Sequence, residues 1–516
     1  MSGGPAANDD QMFHLTLPTD AVARNLASAV LYYNAHIFTI TSSTDQEGPM
    51  PRFRQVAELL RKRIDAGLIA PGDKLPSLRR LAGETGCSVV TVYRAYELLE
   101  SQGLCQARDR SGFYASTPTT VRFQPLARDM PVMPADDVRA LDESLAGLPV
   151  QANAAAAMLP TPGLIGLEGM NRLLRRALLH SGACGELPDD GPGQLISALV
   201  QRAGRREQFI RPDQVLITRS AIESFNLCLD SLGQRGGPVL VESPSYYPVL
   251  ESLRHRGIKA LEIYSHPRLG IDPEQFAHIL KSTGVRLCVL MGCNRIPTGV
   301  TYSRTTLARL VEAARQHDAI ILENDLTAPL GHGELRSPSL KEFDSDDHVV
   351  PFAGTATWLS GAYEIGWIMA GKHMPQLSAT HHLSGAHPPP SAVQAALAQY
   401  LNGRQSERDL RRAGETLKQR MHQGIELLKA ASAGRVAISQ PDGGYLCWVR
   451  GPRDFDAMQL AMAAGPTLFD FIPGPFFSPA GAFSNFMALN FSAPWTPERI
   501  EKLRRLCARV FPTMRC

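Results

Sequence analysis

Between residues 77 and 112 the chain gathers side chains suited to contact with a polyanion. Arg79, Ser88, Thr91 and Arg94 come first, then Arg108, Arg110, Ser111 and Gly112. A guanidinium forks onto phosphate oxygens or onto the O6/N7 edge of guanine, and a hydroxyl donates to either. Val89, in the same run, offers only apolar contact of the kind a thymine methyl accepts. Other reactive types are less organised. His381, His382 and His387 sit in "HHLSGAHPPP", a loop beside prolines, where no metal site is expected. The nine cysteines are odd in number, irregularly spaced and contain no C-x-x-C pair, so they read as reduced thiols rather than as disulfides or zinc ligands.

For the basic group to meet a duplex it must be mounted on a helix that fits the major groove. The sequence supplies the parts. Val56, Leu59, Leu60 and Ile64 share one helical face. "GLIAPGDKLPS" (67–77) breaks that helix with glycine and proline. A second helix is expected over 77–84, with Leu78, Leu81 and Ala82 toward the core, and Thr85-Gly86-Cys87 forms a tight turn. Ser88 is a good N-cap for a third helix reaching about Gln102, held from below by Val92, Ala95 and Leu99. "LCQARDRSGFYAS" (104–116) then alternates apolar and polar residues around Arg110-Ser111-Gly112, which predicts a hairpin. Two helices about a glycine turn, followed by a hairpin, form a winged helix–turn–helix.

The string "GDKLPS-x-R-x-LA…G-x-S-x-x-TV-x-RAY-x-x-L" resembles the winged helix–turn–helix of the GntR family over some 65 residues. The resemblance implies a DNA reader whose contacts fall at Arg79, Ser88, Thr91 and the wing near Gly112. One departure stands out. Members commonly carry arginine or a polar pair just after the Ser88 position, and here it is Val89-Val90.

The chain has 516 residues, 44% hydrophobic and 20% charged, with a formal net charge of +3. That balance excludes a disordered chain or a polycation and allows a small basic domain beside a larger neutral one. The N-terminus lacks the basic region of a signal peptide, and no apolar run reaches membrane-spanning length, so a cytoplasmic protein is expected. Residues 1–50 read as an extension of unassigned role, with a helix capped by Asp20. Residues 51–116 form the winged domain. Residues 117–157 form a linker with a helical stretch at 138–148.

Residues 158–516 alternate helices with short apolar strands: "QVLIT" (214–218), "PVLVES" (238–243), "LCVLM" (287–291), "AIILEND" (319–325) and "GWIMAG" (366–371). Such alternation predicts an α/β domain with a mostly parallel sheet covered on both faces. "GGYLCWV" onward predicts a smaller α+β lobe. The order of "PDQVLITRSAIESF", "VESPSYYPVL", "RIPTGVTYS", "AIILENDL", "GAYEIGW", "IPGPFFS" and "LNFSAPW" resembles a fold-type I aminotransferase over roughly residues 160–512. With the head, the whole chain resembles the MocR/GabR family of bacterial regulators, in which the body senses ligands through pyridoxal 5′-phosphate.

That resemblance implies a set of cofactor groups, and most are replaced. The Schiff-base lysine position is Thr357, with no lysine between Lys341 and Lys372. The arginine that pairs with the cofactor phosphate becomes Glu364, an inversion of charge. The carboxylate on the pyridine nitrogen becomes Asn324, with Asp325 adjacent as a substitute, and the nearby tyrosine becomes Leu326. The asparagine before Pro-Thr-Gly becomes Ile296. The substrate-carboxylate arginine becomes Ala488. Scaffold motifs survive: Pro297-Thr298-Gly299, Gly443-Gly444 and Pro473-Gly474. Tyr246 matches the aromatic near the cofactor ring, and packing explains it equally well. Ser220 is an N-cap or an anion holder. Trp358 is expected to fill the volume of the missing ring.

The reading is a sequence-specific regulator that is not an enzyme and has no covalent cofactor. Its partners are an operator in double-stranded DNA, a second copy of the chain in a homodimer, and an unidentified small-molecule or protein effector. A PLP-responsive MocR-type regulator, or a residual PLP-dependent aminotransferase, is the alternative.

Overall fold

The structure, a computed structural model, describes residues 52–65, 69, 73–101, 104–108, 112–115, 158–180, 191–233, 237–333, 337–463 and 468–511. The extension, the linker, Arg110 and Ser111 lie outside the described residues, as do the side chains of Ile64 and Arg108. The described residues fall in two compact units, a head and a body.

In the head, α1 (Arg52–Asp65), α2 (Leu78–Thr85) and α3 (Val89–Ser101) precede a hairpin of β1 (Cys105–Arg108) and β2 (Gly112–Ala115). Ser77 caps α2 by accepting the Arg80 N–H at 3.3 Å. Gly86 ends α2 in the left-handed region, with φ at 64°, which a side chain would disfavour. Ser88 caps α3 by accepting the Thr91 N–H at 3.1 Å. Val56, Leu60, Leu81, Val92, Ala95, Tyr96 and Leu99 form the core. Leu59 departs from expectation. It is exposed, because the buried face of α1 is carried by Val56, Ala57 and Leu60. The hairpin pairs Arg108 with Gly112, and residues 73–75 lie along its outer edge through Leu75 N–H to Phe113 O and Ala115 N–H to Asp73 O, both 2.8 Å. The Phe113 ring stacks on Tyr96 at 4.7 Å, fastening the wing to α3.

The body opens with α4 (Glu168–His180) and α5 (Gly191–Gly204), followed by β3 (Val215–Thr218), α6 (Ala221–Leu232), β4 (Val239–Ser243), α7 (Tyr247–His255), β5 (Ala260–Tyr264), α8 (Pro273–Thr283) and β6 (Leu287–Leu290). Next come α9 (Arg304–Gln316), β7 (Ile320–Asn324), β8 (Val349–Gly354), β9 (Gly366–Met369), α10 (Met374–Leu383), α11 (Ser391–Asn402) and the long α12 (Arg404–Ala431). The lobe that follows contains β10 (Ala437–Ile438), β11 (Leu446–Arg450), α13 (Ala457–Ala463), β12 (Phe471–Pro473), β13 (Phe486–Asn490) and α14 (Pro497–Val510).

Seven strands form one sheet in the order β3-β9-β8-β7-β6-β4-β5. β5, β4, β6, β7 and β8 run parallel, and β9 runs against both β3 and β8. The mostly parallel α/β sheet is therefore present, with one reversed strand. Two of its strands carry no strong signal in the sequence. β5 is a half-buried edge strand, and β8 contains Pro351, a residue that usually argues against a central strand. The four antiparallel strands β10-β11-β13-β12 make a second sheet. Its core joins α12 and α14 through Met421, Leu428, Cys447, Val449, Met487, Leu489, Leu503 and Leu506.

Candidate functional site

In the head, α3 presents Ser88, Val89, Val90, Tyr93 and Arg94 to solvent, while Thr91 is half-buried. Ser88 Oγ and Thr91 Oγ1 are 2.8 Å apart, so both hydroxyls take part in the cap that starts the helix. Val89, Val90 and Tyr93 are 44%, 65% and 45% exposed. Large apolar side chains at these values, one turn apart on one helix, form an outward face, with the Tyr93 ring also meeting Phe113 of the wing edge-on at 6.5 Å. Val90 and Tyr93 were absent from the sequence reading of the contact residues. The i, i+4 spacing of Val89 with Tyr93, and of Val90 with Arg94, was the signal that reveals them. Arg79 and Arg80 are exposed on α2, with Arg80 held to Glu84 at 3.0 Å.

In the body, the residues singled out converge on one end of the large sheet. Ser220 follows β3, Tyr246 follows β4, Ile296 follows β6, Asn324 ends β7 and Thr357 follows β8. Because β9 is reversed, Glu364 just before it arrives at that same end. Ligands in open α/β sheets bind outside these carboxyl ends.

The face of the sheet follows from register. Asn324 pairs with Phe352, so the two side chains share a face. The Phe352 ring meets Phe225 of α6 at 5.3 Å, and Gly354 abuts Ala221. Asn324 thus lies on the α6 side, and the N-terminus of α6 lies at the same edge. Ser220 caps that terminus by accepting the Glu223 N–H at 3.0 Å. A Cβ at Gly366 would run into the Ser220 carbonyl, which places the start of β9 hard against the start of α6.

Asn324 is 1% exposed. Its Oδ1 accepts the Leu326 N–H at 3.3 Å, and its Nδ2 has no partner among the described residues. Thr357 is 2% exposed, and its hydroxyl donates to Leu326 O at 2.8 Å. Leu326 and Ile296 are buried and apolar. Glu364 is half-buried, with no hydrogen-bond or ion-pair partner for its carboxylate among the described residues, and burial holds it above the usual carboxylate range. Burial, with a smaller push from the Glu364 charge, raises the Tyr246 phenol, which places these two residues in each other's field.

Asp325 does not substitute for Asn324. Its side chain faces the other way and is gripped by Arg206, through a short contact to Oδ2 and a 3.0 Å hydrogen bond to Oδ1. Burial works against the Arg206 charge, and Asp325 outweighs it. Trp358 donates its indole N–H to Gly354 O at 2.8 Å and stacks beneath Arg202 of α5 at 5.8 Å, so its contacts fasten it to α5. Ala488 lies in the second sheet, paired with Trp448 and Ile472.

On the face opposite Asn324 the fold buries an ion pair that the sequence reading did not single out. Arg295 Nε is 3.1 Å from Glu242 Oε2, and the Tyr302 hydroxyl donates to the same oxygen at 3.0 Å. A glutamate inside the apolar strand "VLVES" was the available signal, since a buried carboxylate requires a partner.

Residues 53–115 match the family described as bacterial regulatory proteins, gntR family, and residues 172–469 match aminotransferase class I and II. The chain is 31% identical to the HTH-type transcriptional regulator YdcR of Escherichia coli over 89% of this chain and 98% of that protein. It is 26% identical to the HTH-type transcriptional regulator TauR of Rhodobacter capsulatus, covering 87% and 95%. Among solved structures, the body resembles a multiple substrate aminotransferase from Thermococcus profundus, with TM-score 0.62, 22% identity, and coverage of 73% of this chain and 95% of that one. LysN, an α-aminoadipate aminotransferase from Thermus thermophilus, matches with TM-score 0.61 and 20% identity over 72% and 96%. The chain belongs to the GntR family of bacterial transcriptional regulators, and within it to the MocR/GabR type that fuses a winged helix–turn–helix to an aminotransferase-like body.

Proposed function

We propose that this regulator binds its operator as a homodimer, through α3 and the wing, and that its body neither catalyses transamination nor holds pyridoxal 5′-phosphate on a lysine. What carries the reading is Thr357: a buried hydroxyl, already engaged with Leu326 O, at the position that the order of motifs assigns to the family's lysine. A hydroxyl forms no imine. The rest of the edge fits the cofactor no better. Glu364 would face the phosphate, and two like charges at close range in a partly dry site cost several kcal/mol. Asn324 brings no negative charge to keep a pyridine nitrogen protonated, and Asp325 is committed to Arg206. The N-terminus of α6 still suits an anion.

The Thermus thermophilus structure of this fold holds N-(5′-phosphopyridoxyl)-L-leucine. Titration of the full chain with pyridoxal 5′-phosphate, followed by borohydride reduction and mass measurement, tests the reading directly. No adduct, with operator binding unaffected by the cofactor, is the expected result. A lysine adduct would restore the PLP-responsive account.

A further inference from the structure

Many surface arginines of the body find a carboxylate close by. Arg211 meets Asp213 at 3.0 Å, Arg256 meets Asp230 at 2.9 Å, Arg315 meets Glu312 at 2.8 Å and Arg505 meets Glu501 at 3.3 Å. The first half of α12 departs from this habit. Arg404, Arg408, Arg411, Arg412 and Lys418 are all exposed, and none of them makes an ion pair among the described residues. The neighbouring acids are engaged elsewhere. Glu407 bonds Arg205 of α5, and Asp409 accepts the Tyr400 hydroxyl at 3.0 Å and the Gln405 amide at 2.8 Å. Glu415 is exposed in the same stretch and pairs with none of the five. At 3.6 residues per turn, Arg404, Arg408, Arg411 and Lys418 fall within ~80° of arc, with Arg412 at its border. That stripe stands opposite the buried face of Leu410, Ala413, Leu417 and Met421. The arrangement works against the helix itself. Like charges four residues apart repel, and a cation in the first turn opposes the helix dipole. A polyanion laid along the stripe relieves both.

We infer that the arginine face of α12 binds the phosphate backbone of double-stranded DNA, outside the half-sites that the heads read and without regard to sequence. From Arg404 to Lys418 the stripe is about 21 Å long, the length of roughly six base pairs at ~3.4 Å each. Guanidinium forks suit phosphate oxygens, and four of the five cations are arginines. A stripe of this kind is the electrostatic footprint of nucleic-acid binding. A lipid surface fits less well, because α12 exposes no large apolar side chain, which a helix lying in a membrane interface carries. The inference rests on the reading that the chain holds an operator through α3.

Selection from random duplex with the full chain supplies an operator for the test. Two duplexes then carry it, one trimmed to the half-sites and one with flanks of about two duplex turns on each side. At low salt the full chain should bind the flanked duplex about tenfold more tightly than the trimmed one, and that affinity should fall more steeply with salt. A variant combining Arg404→Gln, Arg408→Gln, Arg411→Gln and Arg412→Gln should lose the advantage of the flanks. Its slope of log affinity against log salt on the flanked duplex should drop by about 0.9 for each phosphate contact removed. Its affinity for the trimmed duplex and its selected sequence should stay the same. All four positions are exposed and glutamine is a good helix former, so α12 is retained, which circular dichroism checks. Equal affinity of the unsubstituted chain for both duplexes, or an unchanged slope in the variant, overturns the inference. So does a variant that sediments as a smaller species, which would assign the stripe to contact between copies of the chain. The two ideas fail differently. If selection yields no operator, the reading of α3 falls and this inference with it, whereas an operator bound without benefit from its flanks sinks only the inference.

Discussion

Asn324 and Asp325 are adjacent in sequence and face opposite sides of a strand end, and the difference decides what each can do. Asp325 neutralises a buried arginine. Removing it by Asp325→Ala leaves the Arg206 charge buried and unpaired, which is expected to cost roughly 3–5 kcal/mol in urea unfolding. A cost below about 1 kcal/mol would show that the pair is dispensable. Glu364 carries a prediction about pH. Its carboxyl is held above the usual range, so the folded chain keeps its proton where the unfolded chain has lost it. Between the ordinary and the raised value the native state binds more protons, and stability falls as pH rises through that window. Glu364→Gln should remove that part of the slope in unfolding curves taken across mildly acidic pH, and an unchanged slope would assign it elsewhere. At this scale the sequence names the replaced residues well, because substitution types are visible without coordinates. It does not reveal direction. Whether Asp325 or Asn324 faces α6 depends on strand phase, and Trp358's attachment to α5 depends on a helix some 150 residues earlier in the chain.

At the scale of elements, the head was legible almost throughout, since its signals are local: a capping serine, a glycine turn, a period of 3.6 residues. Ser88→Ala removes the acceptor for the Thr91 N–H and should cost about 1 kcal/mol of head stability. Thermal unfolding of the variant is the check, and loss of operator affinity should accompany it. The outward face of α3 carries a second prediction. Valines and a tyrosine favour thymine methyl groups over guanine edges. Val89→Arg should therefore shift the preferred operator toward guanine near that position in a selection experiment. An unchanged preference would show that Val89 does not face the bases. The strands that escaped notice, β5 and β8, did so for physical reasons. One lies at an edge and is only half apolar. The other tolerates Pro351 because pairing and burial from neighbouring strands override local propensity.

For the whole molecule, the proposed homodimer would carry two heads, and two heads on one dimer require two operator half-sites. Sedimentation velocity should give a dimer, and footprinting should protect two segments related by symmetry. A monomer protecting a single segment would refute the homodimer. The two-unit division was readable from composition, because a proline-rich stretch without an apolar face separates two segments that each hold a periodic core. How strands far apart in sequence assemble into one sheet was not readable, since register is fixed by contacts between distant segments.

The reversed strand β9 has a further consequence. The segment between β8 and β9 leaves the sheet at Gly354 and re-enters at Gly366, anchored at its base by mutual bonds between Thr355 and Ile365. Thr357 and Glu364 both sit inside that closed excursion, outside the ladder of strands. Substitutions at Thr357 or Glu364 therefore change the chemistry at this end of the sheet without removing a ladder hydrogen bond. Resemblance of the sheet therefore carries no information about which groups this excursion presents.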